Sequence, residues 1–78
     1  MYNNIAEIVR YHRKRSGLTQ LELAHMAGVG KTVVFDIEHG KDSVQWDTLN
    51  KVLRVLNISV QFSSPLMDEF EKDRHEKS

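Results

Sequence analysis

Apolar residues recur at helical spacing in four stretches of the chain. Ile5, Ile8 and Val9 stand at i, i+3 and i+4, one face of a helix over roughly residues 4–15. Asn3 or Asn4 can cap its start, Glu7 suits the first turn, and Arg13-Lys14-Arg15 followed by Gly17 suits its end. Thr19-Gln20-Leu21-Glu22 reads as a capping box, with Leu18 and Leu23 as the flanking hydrophobic staple. It opens a short helix, roughly 19–27, whose inward face is Leu23, Ala24 and Ala27 and which Gly28 ends. A third helix follows at roughly 30–38. There Val33, Val34 and Ile37 point inward, with Val34 and Ile37 as the core pair, and Gly40 closes the element. Trp46, Leu49, Val52, Leu53 and Leu56 form a wide apolar stripe on a fourth helix over roughly 46–57, with Trp46 as a core anchor, the alternative being a contact at a dimer or partner surface.

The pattern then changes period. Ile58-Ser59-Val60-Gln61-Phe62-Ser63 alternates apolar and polar, which predicts a short strand. No other stretch of the chain can pair with it, and a lone strand leaves its backbone groups unpaired. The cheapest partner is the same strand of a second copy, so Ile58, Val60 and Phe62 are expected to form a dimer strand. The alternative is an extended segment packed on the fourth helix. Ser63-Ser64-Pro65 marks a break, and the charged stretch beyond it, thirteen residues from Leu66 to Ser78, is too short for a stable isolated helix. The expected organisation is a domain over 1–64 and an acidic, flexible tail over 65–78.

Composition narrows the function classes. A 78-residue chain is at most one small domain, and small domains need reinforcement from metal, disulfide or partner. There is no cysteine, and His12, His25, His39 and His75 have no metal-ligand spacing, which leaves self-association as the remedy and no metal or cofactor expected. No apolar run approaches a bilayer span, and the N-terminus lacks signal-peptide character, so a cytoplasmic protein is expected. The net charge of zero conceals an asymmetry. Residues 1–64 carry eight basic and six acidic side chains, residues 65–78 three and five. A mildly basic body permits nucleic-acid binding without demanding it.

The second and third predicted helices, joined only by Gly28-Val29, form a helix-turn-helix. Ala24 is small where the helices cross, Gly28 permits the turn, and Val29, Val34 and Ile37 anchor the second helix. Its opposite face is free to enter a major groove. The pattern Thr19-Gln20-x-x-Leu23-Ala24-x-x-x-Gly28-Val29-x-x-x-x-Val34-x-x-Ile37-Glu38-x-Gly40-Lys41 resembles the lambda-repressor-like (XRE/Cro-type) helix-turn-helix family over roughly residues 4–62. The continuation Gly40-Lys41-x-Ser43-Val44-x-Trp46-Asp47-x-Leu49-x-Lys51-Val52-Leu53, followed by the alternating segment, is similar to the HipB-like antitoxin branch, dimeric partners of a HipA-type serine/threonine kinase toxin.

The resemblance implies an all-α domain of four to five helices with a short C-terminal β-strand paired across a dimer. It also implies roles by position. Lys31, Thr32, Phe35 and Asp36 would read base edges, and Thr19, Gln20, Lys41 and Ser43 would contact phosphate of double-stranded DNA. Arg13 and Glu38 would form a structural ion pair. Two positions depart from the pattern. Gly30 is a weaker cap than the usual polar residue, and Phe35 replaces a hydrogen-bonding side chain by an apolar one, which bears on the operator sequence and not on the fold.

Gly28-Val29-Gly30-Lys31-Thr32 is similar to the end of a phosphate-binding loop, but His25 stands where that loop requires glycine. No catalytic constellation remains, so no enzymatic activity is expected. The reading is a dimeric DNA-binding repressor of the antitoxin type on a pseudo-palindromic operator. Its rivals are a stand-alone or phage-type repressor and a protein-interaction module without DNA binding.

Overall fold

The computed structural model describes residues 4–77 as five helices. They are α1 (Asn4–Arg15), α2 (Gln20–Ala27), α3 (Lys31–Glu38), α4 (Trp46–Val55) and α5 (Met67–Lys77). The first four match the helices expected from periodicity to within two residues at each end. The cap expected at Asn3 or Asn4 lies outside the described side chains. The capping box at Thr19 forms in full: the Thr19 hydroxyl accepts from the Glu22 N–H at 3.0 Å, and the Glu22 carboxylate accepts from the Thr19 N–H at 2.8 Å.

The helix ends share one device. A backbone N–H five residues on donates to a carbonyl in the last turn: Leu18 to Arg13, Val29 to Ala24, Lys41 to Asp36 and Ile58 to Leu53, at 2.9–3.1 Å. This is the Schellman closure, which needs a left-handed residue just before the donor. At Gly28 φ is +72°, and nothing stands within 4 Å of where a Cβ would sit. Gly28→Ala therefore meets only the backbone cost, and chemical denaturation should show a loss of about 1–2 kcal/mol. An unchanged midpoint would refute that. Asn57 fills the same role at φ +58°. Asparagine is the side chain that best tolerates it after glycine, so α4 stops before the residue where periodicity placed its end.

Packing follows the inward stripes. Val9, Leu23, Ala24, Val34, Ile37, Leu49, Val52, Leu53 and Leu56 are buried, with Leu18, Val29, Val44 and Ile58 packed against them. α2 packs on α3 and α4, and α1 packs on α3. The closure donors Leu18, Val29 and Ile58 thus carry each turn straight into the core.

Three expectations fail here, each for a physical reason. Ile5 and Ile8 are exposed, because α1 turns Val9 and Arg13 inward and its remaining apolar side chains lie beside that line. Trp46 is not a core anchor, being 53% exposed; Val44 packs against the core just ahead of α4 and closes that end. Residues 58–64 hold no regular secondary structure in the single chain, whereas the expected strand pairs with a second copy. A strand exists only through ladder pairing, which a single chain does not supply here. Val60 and Phe62 stand exposed, Phe62 at 72%.

The expected flexible tail is instead a helix. Pro65 precedes it, Asp68 and Glu69 sit in its first turn where the helix dipole favours them, and Arg74 bonds Glu71 at 2.8 Å. Leu66 and Phe70 are exposed, as for a helix standing away from the four-helix body. The radius of gyration, 15.3 Å, agrees. A compact chain of this length would have roughly 11–12 Å. Among the described residues no helix is long and apolar enough to cross a membrane.

Candidate nucleic-acid interface

α2 and α3 are joined by Gly28, Val29 and Gly30, and Gly28 and Val29 both donate back into the end of α2. α3 is eight residues long, so Val34 and Ile37 bury one side while Lys31, Thr32 and Phe35 stand exposed on the other. Gly30 offers no side-chain cap to α3. The first-turn N–H groups of such a helix lack an intrahelical partner, and they suit an anionic group.

A polar brace lies behind this face. Arg13 Nε donates to Glu38 Oε2 at 2.6 Å, and another guanidinium nitrogen donates to Glu38 Oε1 at 3.0 Å. The fork is bidentate, a geometry that arginine alone provides. The same guanidinium donates to the Leu18 carbonyl at 2.9 Å, and the Gln20 amide donates to Glu38 Oε1 at 3.2 Å. One carboxylate therefore ties α1, the α1–α2 turn, the start of α2 and the end of α3. The Glu38 side chain is 2% exposed and that of Arg13 11%. Burial alone would raise the Glu38 carboxyl. The hydrogen bonds from Arg13 and Gln20, with the charges of Arg13 and Arg10, outweigh it and hold the group below its ordinary value. The hydrogen bond to Glu38 raises the Arg13 guanidinium, against a smaller opposing effect of burial.

Six of the eight residues expected to touch DNA fall into two groups, and Thr32 and Phe35 stand on the exposed face of α3 outside both. Lys31 shares one shallow depression with Thr19, Gln20 and Lys14. Thr19 spends its acceptor on the cap, which leaves its hydroxyl hydrogen as a donor. Gln20 spends one N–H on Glu38 and keeps the other. Asp36, Lys41 and Ser43 line a second depression, with Gln45 and Thr48 at the start of α4. Here Lys41 Nζ lies 3.4 Å from the Asp36 carboxylate, so the acidic residue expected to face bases is paired with a lysine expected to face phosphate. The Arg13-Lys14-Arg15 run divides. Arg13 turns inward, Arg15 bonds the Tyr11 hydroxyl at 2.9 Å, and Lys14 faces the depression that holds Lys31.

Sequence reasoning left His39 out of the residues expected to read bases. Its ring stacks on that of Phe35, with centroids 3.8 Å apart and planes 25° apart. The signal was available in the spacing, since position 39 follows Thr32 by seven and Phe35 by four.

The helix-turn-helix family model (HTH_3) matches residues 9–62. The chain is 39% identical over 62 residues to an uncharacterized HTH-type transcriptional regulator, y4mF, of Sinorhizobium fredii, a match covering 80% of this chain and 82% of the relative. Among solved structures it is similar to a chain of the HipA-HipB-O2-O3 complex, with a TM-score of 0.71 and 25% identity over 83% of this chain and 94% of that one. The HipB-O4 20mer complex gives the same values.

Proposed function

The chain belongs to the helix-turn-helix family of transcriptional regulators, a DNA-binding class and not an enzymatic one, and from that premise we propose that it is a sequence-specific repressor, working as a homodimer on a pseudo-palindromic operator. The observation that carries this reading is the exposed face of α3, held from behind by the Arg13–Glu38–Gln20 brace. In the proposed complex Lys31, Thr32, Phe35 and Asp36 read base edges. Thr19, Gln20, Lys41 and Ser43 contact phosphate and set the register. Lys41 then leaves Asp36 for the backbone. An exposed pair of this kind is worth ~1 kcal/mol or less, so the exchange costs little. Freed of Lys41, Asp36 accepts from cytosine N4 or repels a misplaced phosphate.

Two copies pair through residues 58–62, with Ile58, Val60 and Phe62 supplying the cross-strand contacts. Pairing would satisfy the backbone groups of this segment and cover the exposed Val60 and Phe62. Half-sites would then lie about one helical turn apart.

The similarity to HipB in a complex with HipA and operator DNA supports a further step. We read the chain as the antitoxin of a toxin–antitoxin module, which represses its own operon from the nucleoid and holds a HipA-type kinase toxin inactive. The test has two arms. Duplex binding should fall steeply as salt rises, and Lys31→Ala should weaken it about tenfold or more on the preferred operator. Undetectable binding to every duplex at ~50 mM salt would leave a protein-interaction module instead. Capture of the tagged chain from its own cells should bring down a stoichiometric kinase-like protein. DNA without such a protein would make it a stand-alone repressor.

A further inference from the structure

The stacked rings of Phe35 and His39 suggest a role that neither ring plays alone. Phe35 sits on the exposed face of α3 and is 46% exposed. His39, the residue that ends α3, covers one of its faces at 3.8 Å. The contact follows from helix geometry. Side chains lean toward the N-terminus, so the residue at i+4 lies back over the residue at i.

A second bond fixes the histidine. Its Nδ1 lies 2.7 Å from the Phe35 carbonyl, which also accepts the His39 backbone N–H at 3.1 Å. A carbonyl can only accept, so Nδ1 carries the hydrogen. The ring is thus held by stacking on one side and by a hydrogen bond on its edge, and both anchors belong to Phe35. Neither residue is used by the brace behind α3 or by the Asp36–Lys41 pair.

We propose that His39 is a positioning residue for sequence readout: it locks the Phe35 ring on the recognition face, where the free side of that ring packs on the methyl group of a thymine. A freely rotating phenyl would have to be ordered on binding, and would accept several neighbours in the groove. A ring already held in one orientation discriminates one base. The inference rests on the DNA-reading role of α3 and adds to it the base class read and the residue that enforces the choice.

The test starts from operator duplexes selected from a random pool by the wild-type chain. Each thymine in the half-site is replaced in turn by uracil, which removes only the methyl group. One position should cost the wild type about fourfold in affinity, the worth of a single buried methyl. At that position Phe35→Ala and His39→Ala should be nearly indifferent to the replacement, within about twofold, whereas Lys31→Ala should keep the full sensitivity. His39→Phe restores the stack without the hydrogen bond and should recover most of the discrimination. The dependence of affinity on salt should be the same in His39→Ala as in the wild type, because no phosphate contact is removed. Thermal melts of the free variants check that each is folded.

Full methyl sensitivity in His39→Ala would overturn the proposal while leaving the repressor reading intact. So would a shallower salt dependence in that variant, which would make His39 a phosphate contact. A wild-type chain that selects no duplex at all would overturn both readings together.

Discussion

Glu38→Ala should destabilise the fold by about 3–5 kcal/mol, the range for stranding one member of a buried ion pair. The loss is large because the carboxylate accepts three hydrogen bonds from two side chains. Its removal leaves the Arg13 guanidinium nearly buried with only the Leu18 carbonyl, and releases the Gln20 amide. Small domains have a total stability of about 5–15 kcal/mol, so the variant should be partly unfolded at moderate temperature. Urea titration of wild type and variant checks the difference, and a loss below ~1 kcal/mol would mean that the pair is solvated in solution. Replacing both partners together, Arg13→Met with Glu38→Leu, should recover much of the loss, since two apolar groups leave no charge stranded.

The same carboxylate gives the fold an acid limit. Its folded value lies below the ordinary one of about 4.3. Its contribution is therefore complete above that ordinary value, and is lost as pH falls through the lowered folded value. Wild-type stability should decline below about pH 4, and Glu38→Gln, which has no proton to take up, should show a flatter profile there.

Leu23→Ala should cost about 2–5 kcal/mol by the same measurement. Leu23 is fully buried, on the helix that packs against both α3 and α4. It also stands one residue beyond the capping box of α2, at the staple position facing Leu18. The cavity would open at the junction of three helices, and neither neighbour can collapse into it without losing its packing elsewhere. Because α2 packs against α3, DNA binding should weaken in parallel with stability. Lys31→Ala, on the exposed face, should weaken binding without moving the unfolding midpoint.

The contrast between core and surface shows where sequence reading succeeded. Val34, Ile37, Leu49, Val52 and Leu53 were legible because each short helix has only one apolar face. The capping box was legible because its two hydrogen bonds are local. Trp46 and Ile5 misled for one shared reason. Periodicity gives the direction in which a side chain points and not where its partner helix ends. Asn57 was missed because a left-handed non-glycine leaves only a weak signal.

At the candidate interface, the resemblance implied Lys31, Thr32, Phe35 and Asp36 on one exposed face; the first three stand exposed, and Asp36 is half-buried beside Lys41. The Arg13–Glu38 pair joins residues 25 positions apart, and no local rule predicts it; the family resemblance did. The engagement of Gln20 with Glu38 and of Lys41 with Asp36 depends on tertiary placement that no pattern encodes.

The Schellman closures bear on how quickly the domain assembles. Each spans only six residues, and even the Arg13–Glu38 pair closes a segment of 25. Chains built from such local contacts have little loop entropy to overcome and fold in microseconds to milliseconds. A nascent copy is thus native almost as soon as its last helix leaves the ribosome, where elongation proceeds at ~5–20 residues per second. The delay between translation of this chain and its native state is set by synthesis, and not by folding.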